Sequence, residues 1–130
     1  MATIKSFEEI ISWQKAREVC KAMGRLIDDK RFRNNYRLID QIEGSSGSIM
    51  DNIAEGFERG TKGEFIQFLG YAKGSCGELR SQLIRAFDRN YINQNEFQNI
   101  KQELLNISGL LQNMIGYLQK SNIAGTRKKV

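Results

Sequence analysis

Apolar residues recur three and four positions apart over most of this chain, and no segment sustains an apolar–polar alternation of period two. Phe97, Ile100, Leu104, Ile107, Leu111, Met114 and Leu118 keep that spacing without a break. The same rhythm joins Trp13, Ala16, Cys20, Met23 and Ile27, then Ile39, Ile42, Ser46, Ile49 and Ile53. A third run holds Phe65, Phe68, Leu69, Ala72, Cys76, Leu79 and Leu83. A period near 3.6 places each set on one helix face, and the missing two-residue period argues against any sheet. Polar caps mark where the runs begin. Ser6 with Glu9, Thr61 with Glu64 and Asn93 with Glu96 each set a capping side chain three residues before a glutamate, and Asn34 or Asn35 can start the remaining helix. The pattern predicts helices over about 7–29, 36–59, 62–89 and 94–120. Short connections make neighbours antiparallel, so the expected fold is all-α, an up-down-up-down four-helix bundle. It forms one domain over 1–121, followed by a flexible basic tail over 122–130.

Glycine complicates the picture. Gly24, Gly44, Gly47, Gly70, Gly74, Gly77, Gly109 and Gly116 all fall inside expected helices. At about 1 kcal/mol each against alanine, they need a compensating contact. Gly70, Gly74 and Gly77 with Ser81 make one small-residue stripe, and Ser45, Ser48, Asn52 and Glu55 make another. Such stripes let backbones approach closely, either within the bundle or between subunits. Tolerated glycines near loose helix ends are the competing explanation.

The stretch NIAEGFERGTKGEF raises the question of a phosphate loop. A nucleoside-triphosphate loop needs four residues between its glycines and a hydroxyl after its lysine. Gly56 and Gly60 are separated by three, and Gly63 follows Lys62. A helix–turn–helix corner fits better, with Gly60 in the left-handed conformation and Thr61 capping the next helix. An anion held at that helix N-terminus beside Arg59 and Lys62 is the alternative.

Candidate chemistry is thin. The chain contains no histidine, which removes the commonest general base and metal ligand. Cys20 and Cys76 cannot complete a zinc quartet and read as reduced core thiols of a cytoplasmic protein. Asp51, Glu55, Glu64 and Glu78 read as a solvated face or as ion-pair partners of Arg59 and Arg80. No apolar run approaches the length of a membrane span. No enzymatic activity, cofactor, metal or small-molecule substrate is expected.

Net charge is +5, much of it carried by Arg127, Lys128 and Lys129, so the body is nearly neutral. Within the body, Lys30, Arg31, Arg33 and Arg37 interleave with Phe32 and Tyr36 in DKRFRNNYR, and Arg17, Lys21 and Arg25 form a stripe leading to it. Cations neutralise phosphates and exposed aromatics stack on unpaired bases, which makes these seven residues, with Arg59 and Lys62, candidate nucleic-acid contacts. Equally, Phe32 and Tyr36 can plug the end of the bundle while the cations only solubilise it.

Three stretches together carry a family resemblance: FEEIISWQKARE, SIMDNIAEGFERG and TKGEFIQFLGYAKGSCGEL. They resemble the four-helix-bundle proteins encoded in intervening sequences of bacterial 23S ribosomal RNA genes, and are similar to the accessory variability determinant of diversity-generating retroelements. The resemblance implies a homo-oligomer, a pentamer, without enzymatic activity and associated with RNA or other nucleic acid. A protein-interaction scaffold without nucleic-acid affinity is the alternative. Trp13, Gln14, Asn52, Glu55, Gly56, Arg59, Gly60, Thr61, Glu64 and Phe65 fall on the recurrent motifs. The resemblance assigns Trp13 to the core, and Asn52 and Glu55 to hydrogen bonds that fix helix contacts. Glu43 and Gly44 stand where relatives often carry two arginines, and Met50 where they often carry proline. The first departure weakens the cationic face, and the second leaves helix two free to run unkinked.

Overall fold

A computed structural model describes residues 3–121 of the chain. The expectation for the basic tail over 122–130 falls outside the described residues. Four helices make the bundle: α1 (Ile11–Asp28), α2 (Tyr36–Glu58), α3 (Lys62–Asp88) and α4 (Gln94–Lys120). Each packs against the next and α4 returns to α1, which closes the antiparallel ring. No strand occurs among the described residues, and none of their helices is long and apolar enough to cross a membrane.

The first helix differs from expectation. Ser6 and Glu9 do form a capping box, but it caps a single 3-10 turn, Phe7–Glu9. Ile10 is then extended, and α1 starts only at Ile11. Two motif residues fasten this turn to α1: the Trp13 ring meets Phe7 edge-on at 5.2 Å, and Gln14 Nε2 donates to the Glu8 carbonyl at 2.8 Å. The α1 seam is also rotated. Ser12, Ala16, Val19, Met23 and Leu26 are buried, whereas Trp13, Cys20 and Ile27 lie half-buried at its edge. A seam of period 3.5 on a helix of period 3.6 drifts, and Val19 and Leu26 were apolar alternatives one position away.

The other seams agree more closely. Ile42, Ser46, Ile49 and Ile53 of α2 are buried. On α3, Phe65, Leu69, Ala72, Cys76, Leu79 and Leu83 are buried, and on α4 Phe97, Leu104, Ile107, Leu111 and Leu118. Ile39, Phe68, Ile100 and Met114 are only partly covered. With methionine at position 50, α2 runs unbroken from Tyr36 to Glu58.

The two small-residue stripes have different fates. The α2 stripe faces α3 and is engaged inside the chain. Buried Ser45 Oγ donates to Oε1 of buried Gln82 at 2.6 Å, and Ser75 Oγ donates to Ser48 Oγ at 3.0 Å. Asn52 donates to the Ser48 carbonyl and hydroxyl, so its bonds stay within α2, and Glu55 pairs with Arg59 one turn on. Neither side chain directly bridges helices, contrary to the expected role. The α3 stripe faces outward. A Cβ added at Gly70, Gly74 or Gly77 would meet nothing within 4 Å among the described residues.

At the α2–α3 corner, Gly56 sits so close to α3 that a Cβ there would lie 2.5 Å from the Phe68 Cβ. Gly60 takes φ +90°, the left-handed conformation expected of it. Thr61 Oγ1 accepts from the Glu64 N–H at 3.2 Å and donates to Glu64 Oε1 at 2.8 Å. Glu64 Oε2 accepts from Arg59 Nε at 2.7 Å. The Glu64 carboxylate thus accepts from two side chains and not from the Thr61 N–H, so only the threonine half of the expected capping box forms. The corner reading holds.

Candidate nucleic-acid interface

The topology divides the candidate cations between the two ends of the bundle. Arg59 and Lys62 belong to the α2–α3 end, and both are engaged. Arg59 contacts Glu64, Glu55 and the Phe68 ring, and Lys62 Nζ donates to the Ser121 carbonyl at 2.9 Å. They do not join the other candidates in one surface.

The opposite end gathers the α1–α2 and α3–α4 connections, and both open with the same backbone device. Past α1, the Lys30 N–H donates to the Ile27 carbonyl and the Arg31 N–H to the Leu26 carbonyl, with Lys30 at φ 56°. Past α3, the Asn90 N–H donates to Phe87 and the Tyr91 N–H to Ala86, with Asn90 at φ 63°. These are two Schellman closures, each satisfying orphan carbonyls by one left-handed residue. Asparagine tolerates that conformation, and lysine less so. A further left-handed residue, Arg33 at φ 55°, turns the chain toward α2. Asn35, not Asn34, then caps α2 by accepting from the Leu38 N–H.

Side chains tie the two connections together. Both terminal nitrogens of Arg31 meet the Glu96 carboxylate, at 2.7 and 2.6 Å. Glu96 also accepts from the Asn93 N–H, completing the capping box of α4. The Arg31 hydrogen bond, followed by that backbone bond, holds the Glu96 carboxyl below its usual range. Phe32 is fully buried and packs edge-on against Tyr91 at 6.0 Å between centroids. It plugs the bundle end and offers no stacking surface. Tyr36 is the opposite case, 66 % exposed at the start of α2.

Tyr91 is the hub of this end, and the sequence pattern did not single it out. Asn35 Nδ2 donates to its hydroxyl at 3.5 Å, and the Arg33 guanidinium lies 5.8 Å from its ring centroid. Hydrogen bonding from Asn35 and then Arg89, with the charges of Arg89 and Arg33, draws the phenol below its ordinary pKa. No local motif marks a tyrosine three residues past a helix as such a hub; it depends on a loop distant in sequence.

Along α1, Lys21 pairs with Glu18 at 3.2 Å and Arg17 lies 6.0 Å over the Trp13 ring, both at the surface. Arg25, Lys30, Arg33, Arg37 and Arg89 are exposed, and none has a carboxylate within ion-pair distance among the described residues. Asp28, Asp29 and Asp88, also exposed at this end, temper the positive field. Elsewhere, the thiols are free: burial pushes Cys76 up to about 11, and half-buried Cys20 donates to the Ser46 carbonyl at 3.1 Å.

Comparison with known proteins bears on the fold and the family. A solved protein of unknown function from the S23 ribosomal protein family of Bacteroides thetaiotaomicron superposes with a TM-score of 0.72. It is 24 % identical and covers 81 % of this chain and 98 % of its own. At that identity the likeness speaks for the fold. No curated protein matches the chain. The model of the 23S rRNA-intervening sequence proteins matches residues 8–113, across all four helices, and the chain belongs to that family.

Proposed function

We propose that this protein is a non-enzymatic, homo-oligomeric helical bundle that associates with RNA or another nucleic acid as an accessory factor. The observation that carries the reading is the α1–α2 end of the bundle. Arg25, Lys30, Arg33 and Arg37 stand there without carboxylate partners among the described residues, beside the exposed ring of Tyr36. Cations without a carboxylate partner are free to neutralise phosphates, and one exposed ring can stack on one unpaired base. The family's name, which places these proteins with intervening sequences of 23S rRNA, supports the same direction. A chain without histidine supports a binding role over a catalytic one.

Oligomerisation rests on α3. Its outward face carries Gly70, Gly74, Gly77 and Ser81 at alternating spacings of four and three, with space above each glycine. Exposed Tyr71 and Ile84 flank the stripe. Intrachain packing gives these glycines no role, whereas a helix from another subunit could lie close against them. A pentamer is the expected assembly from the family resemblance, and light scattering on the eluting protein measures it.

The test of nucleic-acid association is affinity for labelled structured RNA across a salt series. A protein neutralising several phosphates loses affinity steeply as salt rises. Binding that is absent at low salt would leave the second reading, a protein-interaction scaffold.

A further inference from the structure

We propose that the cavity between the start of α1 and the last turns of α4 binds a small, uncharged apolar molecule by its carbonyl oxygen. The site lies at the α2–α3 end of the bundle, and the proposal is independent of the nucleic-acid reading.

The cavity follows from the break at Ile10. Because the chain is extended there, the last turns of α4 are met by Thr3 and Ile4 instead of by a further turn of α1. The space left measures about 470 Å³, a size that suits a small-molecule site. Ile4, Ile10, Leu110 and Met114 give it apolar walls, and the exposed side chains of Ile11 and Tyr117 also line it.

Donors without acceptors gather at one wall. Ile10 holds the N-cap position of α1 and offers no side-chain acceptor, so the Ile11, Ser12 and Trp13 N–H groups have no partner among the described residues. Ser12 adds a hydroxyl. The residue is only 3 % exposed, yet its Oγ makes no hydrogen bond among the described residues. A helical serine normally returns its hydroxyl to a carbonyl three or four residues back. The Glu8 carbonyl accepts instead from Gln14 Nε2 at 2.8 Å. No enclosed side-chain oxygen or nitrogen of the described residues goes without a partner, so the Ser12 oxygen must open into the cavity that the residue lines. An acceptor placed there would meet the hydroxyl and the neighbouring N–H groups at the positive end of the α1 dipole.

Charge decides which acceptor fits. Glu9 lines the cavity and Glu8 is exposed next to it in sequence, whereas no lysine or arginine lines it. Lys5 and Lys15 flank the stretch in sequence without reaching the lining. Glu9 turns Oε2 back to the Lys5 and Ser6 N–H groups, both at 2.9 Å, but its charge still opposes a second carboxylate. A ketone, ester or amide oxygen takes the same bonds without that repulsion.

The test uses the full chain and three probes of nearly one shape: acetophenone, ethylbenzene and benzoate. NMR follows the Ile11 and Ser12 amide signals and the Met114 methyl as each probe is titrated. Acetophenone should shift all three saturably. Ethylbenzene, which lacks the acceptor, should bind about fivefold more weakly, the worth of one hydrogen bond. Benzoate should also bind more weakly than acetophenone. Ser12→Ala should weaken acetophenone and leave ethylbenzene unchanged. It should not lower the melting temperature of the free protein, because the hydroxyl it removes has no partner to lose. Equal affinities for the three probes, shifts that never saturate, or a loss of stability in Ser12→Ala would overturn the site. None of these outcomes depends on whether RNA binds.

Discussion

Arg31 and Glu96 are 65 positions apart, yet their side chains form a two-pronged ion pair that locks the α1–α2 connection onto the start of α4. Within a basic cluster, this pair separates a structural cation from those with no carboxylate within ion-pair distance among the described residues. Both side chains are about two-thirds covered, so the pair sits between an exposed bridge and a buried one. A double-mutant cycle with Arg31→Met and Glu96→Gln should give a coupling of about 1 kcal/mol, read from denaturant midpoints.

Acid should expose the same pair. The folded state holds the Glu96 carboxyl below its usual range, chiefly through Arg31, so the unfolded chain takes up that proton more readily. The resulting stability is fully present above the ordinary carboxylate pKa of about 4.3 and is lost as pH falls through the lower, folded value. Melting temperatures measured down the acid limb should fall less steeply for Arg31→Met than for the parent.

Gly56→Ala should destabilise the fold, by about 1–3 kcal/mol, because the new methyl would overlap the base of the Phe68 side chain. Backbone must move to relieve that contact. An unchanged urea midpoint would mean that α2 and α3 are less tightly apposed than the geometry requires.

On the outward face of α3, Gly74→Leu should leave the bundle folded and break the assembly. Among the described residues nothing lies within 4 Å of an added Cβ at Gly74, so the monomer tolerates the side chain. Circular dichroism should stay helical while light scattering reports smaller particles. A variant that keeps its full subunit number would move the interface elsewhere.

Lys30→Gly should raise stability by about 1 kcal/mol, since glycine carries no Cβ penalty at the left-handed position that closes α1. The same change removes a cation from the α1–α2 end. Stability and RNA affinity should therefore move in opposite directions, a pairing that thermal melts and anisotropy can check together.

Ser45→Ala should cost about 1–3 kcal/mol by stranding the buried Gln82 amide oxygen. Adding Gln82→Leu should restore much of that loss, because removing both partners leaves no orphaned polar group.

Much of the architecture was legible from local signals. Asn93 and Glu96 announced α4 through a capping box, and Gly60 announced the corner through the one backbone conformation that glycine adopts freely. The α1 seam was misplaced because Trp13, Cys20 and Ile27 share a spacing with Ser12, Val19 and Leu26. Spacing fixes the rotation of a helix only to within one position, and packing against α2 and α4 settles the rest.

The candidate interface was legible only in its composition. DKRFRNNYR displayed its cations and rings, but Phe32 turned inward, Arg31 found Glu96, and Arg33 found Tyr91. Sequence alone determined the helices and their order, since propensity, periodicity and capping act over a few residues. Only tertiary structure decided which charges met a carboxylate and which, among the described residues, did not. Ion pairs form between side chains that meet in space, and those meetings join residues from connections far apart along the chain.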